Sequence, residues 1–120
     1  MRVTVSPESW LSVTQAAELL GVTQRDVRSM LADRSLIALR RGGGGALAIP
    51  ALAFVDGEGA ARVLPSLRGT LITLADAGYD DEEAWSWLTG DVPELGGRPI
   101  DALRSGRVHA VRTVACTLAF

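Results

Sequence analysis

The 120-residue chain has no lysine, one cysteine, one histidine and only 5% aromatic residues. All twelve basic residues are therefore arginine, a bias that carries no functional reading by itself. Cys116 alone cannot close an internal disulfide, which fits a reducing cytoplasm. Cysteine and histidine are too few for a zinc site. No stretch approaches the roughly 18 uninterrupted apolar residues of a membrane span, and Met1 to Trp10 lacks the apolar core of a secretory signal. The expected location is the cytoplasm, at the nucleoid and away from membranes. The length leaves no room for a TIM barrel, a complete dinucleotide-binding enzyme or a kinase.

Catalytic machinery is equally sparse. His109 and Cys116 lie seven positions apart with no orienting acid, so they do not form a nucleophile pair. His109 reads as a surface or packing residue, and Cys116 as buried with Val114 and Leu118. Gly42 to Gly45 resemble a phosphate loop in glycine content alone, because no Lys-Ser/Thr follows. Asp80-Asp81-Glu82-Glu83 reads as an acidic helix start rather than a cation site. No enzymatic activity, cofactor or metal is expected.

What is present is a globular composition, 48% hydrophobic and 22% charged, with a net charge of −2. The charge is unevenly distributed. Residues 1–55 carry six Arg against four acids, and residues 56–120 carry six Arg against ten. A local basic face in the first half is compatible with the acidic total, because binding responds to the local field.

Met1 to Pro7 reads as a short tail with some strand character. Ser12-Val13-Thr14-Gln15 forms a capping box. Val13, Ala16, Ala17 and Leu20 then keep helical spacing until Gly21, which ends the helix. Val22 is a buried turn residue in this reading. Thr23 caps a second helix with Asp26 three residues on. Val27, Met30 and Leu31 are its apolar stripe, opposite Arg25, Arg28, Ser29 and Ala32. Leu36 to Leu39 and Ala46 to Ile49 read as the strands of a hairpin, with Arg40, Arg41 and four glycines at its tip and Pro50 closing it. Residues 51–55 start another packed segment, and Asp56-Gly57-Glu58-Gly59 is the candidate joint.

The second half reads as helical. Leu64, Leu67, Leu71, Ile72, Leu74 and Ala75 line a helix that stops at Gly78. Asp80 caps the next, with Glu83 three residues on; Ala84, Trp85 and Leu88 are its apolar positions, and Gly90 ends it. A loop runs from Asp91 to Arg98. Pro99 opens a short helix through Leu103, and a last helix spans Arg107 to Leu118.

Two short helices joined by Gly21-Val22 make a helix-turn-helix, in which the first helix props the second for entry into a major groove. Thr23, Gln24, Arg25, Arg28 and Ser29 form the polar end and face of that second helix. Gln suits adenine edges, Arg suits guanine edges, and Ser and Thr suit phosphates or bases. The hairpin becomes a wing. Arg40 and Arg41 precede a tip with no side chains to hold the backbone away from a sugar–phosphate edge, and Gly43 is the tip residue expected against DNA.

The run from Ser12 to Thr23, with Val27, Leu36 to Arg41 and Ile49-Pro50, resembles the winged helix-turn-helix of excisionase and MerR-type proteins. With Leu64-Pro65-Ser66-Leu67, Ala77-Gly78-Tyr79, Trp87-Leu88 and Arg98 to Leu103 added, the chain resembles an actinobacterial family of winged-helix DNA-binding proteins. The prototype of that family is a mycobacterial substrate of a Ser/Thr protein kinase. The resemblance implies DNA binding through the second helix and the wing. This chain has almost no N-terminal extension, and Thr4 and Ser6 are the only hydroxyls of its tail. Regulation acting through a longer tail is therefore not expected here.

Trp85, Trp87, Leu88 and Leu95 to Leu103 are also similar to the toxin-binding C-terminal domain of some Xre-type antitoxins. Trp85 reads as core. Trp87 faces elsewhere on its helix and is, with Arg98, the candidate partner interface.

The expected fold is mainly α with a small β-hairpin. A winged helix-turn-helix occupies residues 1–55, and a helical module packed on it occupies 56–120. The expected function is DNA binding in transcriptional or nucleoid regulation, with antitoxin-like protein binding as the alternative. Double-stranded DNA is the first partner. A second copy of the chain and a Ser/Thr protein kinase or other protein are further candidates.

Overall fold

The computed structural model describes residues 9–41 and 45–118. Thr4, Ser6 and the tip glycine Gly43 lie outside them, as does the strand-like tail expected before Pro7. The chain divides into two compact units between Leu64 and Pro65.

The first unit begins with strand β1 (Trp10–Leu11), followed by helices α1 (Val13–Leu20) and α2 (Gln24–Ala32). Both capping boxes form as expected. Gln15 N–H donates to Ser12 Oγ at 3.1 Å, and Ser12 N–H donates to Gln15 Oε1 at 2.9 Å. Asp26 N–H donates to Thr23 Oγ1 at 3.0 Å, and Thr23 N–H donates to Asp26 Oδ2 at 3.2 Å. Each box satisfies N–H groups that a helix start leaves without partners. Gly21 ends α1 at φ 72°, a left-handed backbone that costs glycine little. Val22 is half-buried rather than buried.

The hairpin strands are β2 (Leu39–Arg41) and β3 (Ala46–Pro50). β2 starts three residues later than Leu36. The N–H groups of Ser35 and Leu36 both donate to Met30 O, at 2.9 and 3.2 Å, so this segment closes the end of α2 before any strand can begin. Leu36 and Ile37 are both buried, without the alternation of a half-exposed strand. β3 lies in the middle of a three-stranded antiparallel sheet, ordered β1-β3-β2. Trp10 pairs with Pro50, Leu11 with Ile49, Leu39 with Ala48 and Arg41 with Ala46.

The joint expected at Asp56 to Gly59 lies between two more paired strands, β4 (Phe54–Val55) and β5 (Arg62–Val63). Residues 56–64 therefore belong to the first unit. Leu64 does not enter the following helix. The residue before a proline is steered away from helical backbone, and Leu64 N–H donates instead to Ala53 O at 2.8 Å.

The second unit holds α3 (Leu67–Asp76), α4 (Asp81–Thr89), a 3-10 turn at Pro93–Leu95, α5 (Pro99–Arg104) and α6 (Val108–Cys116). Asp80 and Glu83 form a third capping box. Leu67, Leu74, Leu88, Ile100 and Val111 are fully buried core residues. Cys116 is exposed, contrary to expectation. α6 buries Val111 and Ala115, four residues apart on one face, and that turns Cys116 away from the core. No helix among the described residues is long and apolar enough to cross a membrane.

Candidate nucleic-acid interface

α2 has one fully buried residue, Val27, while Met30 and Leu31 are half-buried. Gln24, Arg25, Arg28, Ser29 and Ala32 are exposed. Residues 25, 28, 29 and 32 are spaced to share one helical stripe, so the cations stand together on the face away from Val27. Thr23 plays a different part. Its hydroxyl oxygen accepts from Asp26, so the side chain's first task is to hold the helix start. Asp26, the acid on this turn, is held back against Thr23 N–H by the same box.

Arg40 and Arg41 end β2, next to the hairpin tip. Strand alternation sends their side chains to opposite faces. Arg40 is exposed, and its Nη1 donates to Gly45 O at 2.9 Å, bracing one side of the tip. Arg41 is half-buried, with its guanidinium carbon 4.7 Å from the centre of the Trp10 ring. Arg41 Nη1 also donates to Arg40 O at 3.1 Å. The two arginines that look equivalent in sequence are thus held in different ways.

Sequence reasoning assigned Trp10 no role. It is 37% exposed, the one large hydrophobic side chain left so open among the described residues. An aromatic two residues before a helix cap was the available signal. Its partner, Arg41, lies too far along the chain for spacing to reveal.

Trp87 and Arg98 are both in the second unit, in different settings. Trp87 is half-buried and borders a groove of about 670 Å³ with Tyr79, Glu82, Glu83, Ser86, Gly90, Asp91 and Val92. Arg98 is not part of that lining. Its Nε and Nη2 donate to the two oxygens of Asp101, at 2.7 and 3.0 Å, clamping the first turn of α5. No cluster of His, Cys, Asp and Glu among the described residues could hold a metal ion.

Two family descriptions match the chain. Residues 3–54 match the wHTH domain of DNA-binding protein Rv2175c, and residues 64–119 match the Rv2175c C-terminal domain of unknown function. DNA-binding protein Rv2175c of Mycobacterium tuberculosis is 33% identical over 125 residues, covering 94% of this chain and 82% of the relative. The NMR structure of Rv2175c superposes with a TM-score of 0.81 at 31% identity, covering 100% of this chain and 87% of the other.

Proposed function

Because the chain belongs to the Rv2175c family of winged helix-turn-helix DNA-binding proteins, we infer that it binds duplex DNA and serves in transcriptional or nucleoid regulation. The observation that carries the reading is the exposed stripe of Arg25, Arg28 and Ser29, on a helix whose start is fastened by Thr23 and Asp26. α2 enters the major groove, where Arg25 and Arg28 reach base edges and Gln24 suits adenine. The wing lies on the backbone or in the minor groove, and Arg40 and Arg41 supply charge there. Two copies binding together would read half-sites about one helical turn apart.

The test is binding of the purified protein to mixed-sequence duplex at low salt, followed by a salt titration. Phosphate contacts make the logarithm of affinity fall linearly with the logarithm of salt concentration. Arg40→Ala weakens binding to every sequence alike and flattens that line. Absence of binding at low salt overturns the reading.

The groove beside Trp87 favours a second reading, protein binding by the second unit. Glu82, Glu83 and Asp91 give it negative charge, and Trp87 and Tyr79 give it ring surface, so the fitting occupant is a cationic segment of a partner protein. A partner whose affinity is unchanged by Trp87→Leu would remove this reading.

A further inference from the structure

The wing hairpin has a third strand that its sequence does not announce. β1 contributes only Trp10 and Leu11, yet it pairs along β3 and brings an indole to the sheet. The register shows where that indole lies. Trp10 is opposite Pro50, and Arg41 is opposite Ala46. Pro50, Ala48 and Ala46 alternate along β3 onto one face, so Trp10 and Arg41 share that face from the two outer strands. Between them on β3 stands Ala48, whose methyl group leaves room for the long side chains to meet. They do meet, with the guanidinium carbon 4.7 Å from the ring centre, inside the distance at which a ring face attracts a cation.

An arginine side chain loses rotamer freedom when it docks on a phosphate. A guanidinium already held against a ring, and tied through Nη1 to Arg40 O, loses less, and with five N–H donors it can take a further partner. We propose that Trp10 is a positioning residue of the DNA interface, holding the Arg41 guanidinium in its DNA-contacting pose before DNA arrives. The proposal rests on the DNA-binding reading. It adds that the strand preceding the helix-turn-helix is a working part of the wing.

The pair is tested first without DNA. The Arg41 side-chain proton resonances are shifted upfield by the ring in the free protein. They move to ordinary positions in Trp10→Leu, which keeps an apolar side chain but has no ring face, and stay largely shifted in Trp10→Phe. Unshifted resonances in the unaltered protein overturn the proposal. The same variants are then titrated with a mixed-sequence duplex at low salt. Trp10→Leu is expected to weaken binding to every duplex by about two- to five-fold, the size of one exposed cation–π contact, and Trp10→Phe to restore most of it. In an Arg41→Ala background, Trp10→Leu has no further effect.

Equal losses in the Arg41→Ala and unaltered backgrounds would mean that Trp10 acts on DNA or on folding directly, and would overturn the positioning role. Full rescue by Leu as well as Phe would overturn it too. If the unaltered protein binds no duplex, the DNA-binding reading fails and this role falls with it. Duplex binding that is unchanged in Trp10→Leu sinks the Trp10 role alone.

Discussion

The two units place their arginines differently. Residues 1–64 carry seven arginines against six acids, and residues 65–120 carry five against eight. In the first unit Arg25, Arg28 and Arg40 stand exposed on a helix face and beside a hairpin tip. In the second, Arg98, Arg107 and Arg112 each lie against a group of their own unit, although Arg107 and Arg112 are exposed too. Arg98 clamps Asp101, and Arg107 Nη1 donates to Leu95 O at 2.9 Å. The Arg112 guanidinium lies against Gly69, where a Cβ would collide with it. Counting arginines therefore does not locate a nucleic-acid face. What matters is where each guanidinium stands: Arg40 holds Gly45 O and stays exposed beside the wing tip, whereas Arg98 gives two nitrogens to Asp101 on a turn of α5.

Leu88 is fully buried, so Leu88→Ala leaves a cavity and is expected to cost about 2–5 kcal/mol of stability, measured by chemical denaturation. A loss below 1 kcal/mol would mean that the helical core is looser than its burial indicates. Arg28→Ala sharpens the contrast between arginines. It is expected to cost about 1–3 kcal/mol of affinity for a preferred site and to relax specificity at one position. Arg112→Ala is expected to leave DNA affinity unchanged, and equal losses from the two variants would erase the distinction.

The capping boxes offer a matched pair. Thr23→Ala and Asp80→Ala each remove a side chain that accepts from the third helical N–H, and each is expected to cost about 1 kcal/mol of stability. Thr23→Ala should also weaken DNA binding, and Asp80→Ala should not; titration of both variants with one duplex decides. The smallest effect is expected at Arg98. Its side chain is 33% exposed and that of Asp101 is 53% exposed, so Arg98→Ala is expected to cost about 0–1 kcal/mol of stability and no DNA affinity. A larger loss on thermal denaturation would give Arg98 a role beyond clamping α5.

Much of this was legible along the chain. Ser12 with Gln15, Thr23 with Asp26 and Asp80 with Glu83 marked three helix starts, and the structure forms all three boxes. Val27, Leu74, Trp85 and Leu88 kept helical spacing and are buried. The exposed face of α2 followed from the same spacing. Less legible were the short strands. Leu36 to Leu39 read as a strand by composition, but the end of α2 takes the N–H of Leu36. Leu64 read as helical by spacing, but Pro65 and the carbonyl of Ala53 hold it outside. Cys116 read as buried by its neighbours, and one residue of helical rotation exposes it.

The helix pair, its turn at Gly21 and the polar face of α2 are written in the local order of residues. Those features depend on contacts within about four residues, where spacing and side-chain chemistry are sufficient. The pairing of β1 with the wing, the contact of Arg41 with the Trp10 ring while Arg40 braces Gly45, and the start of β2 all depend on long-range folding. These are pairings between strands and between residues as distant as Trp10 and Arg41. Such pairings form only when the chain returns on itself, and no local preference records which partners will then meet.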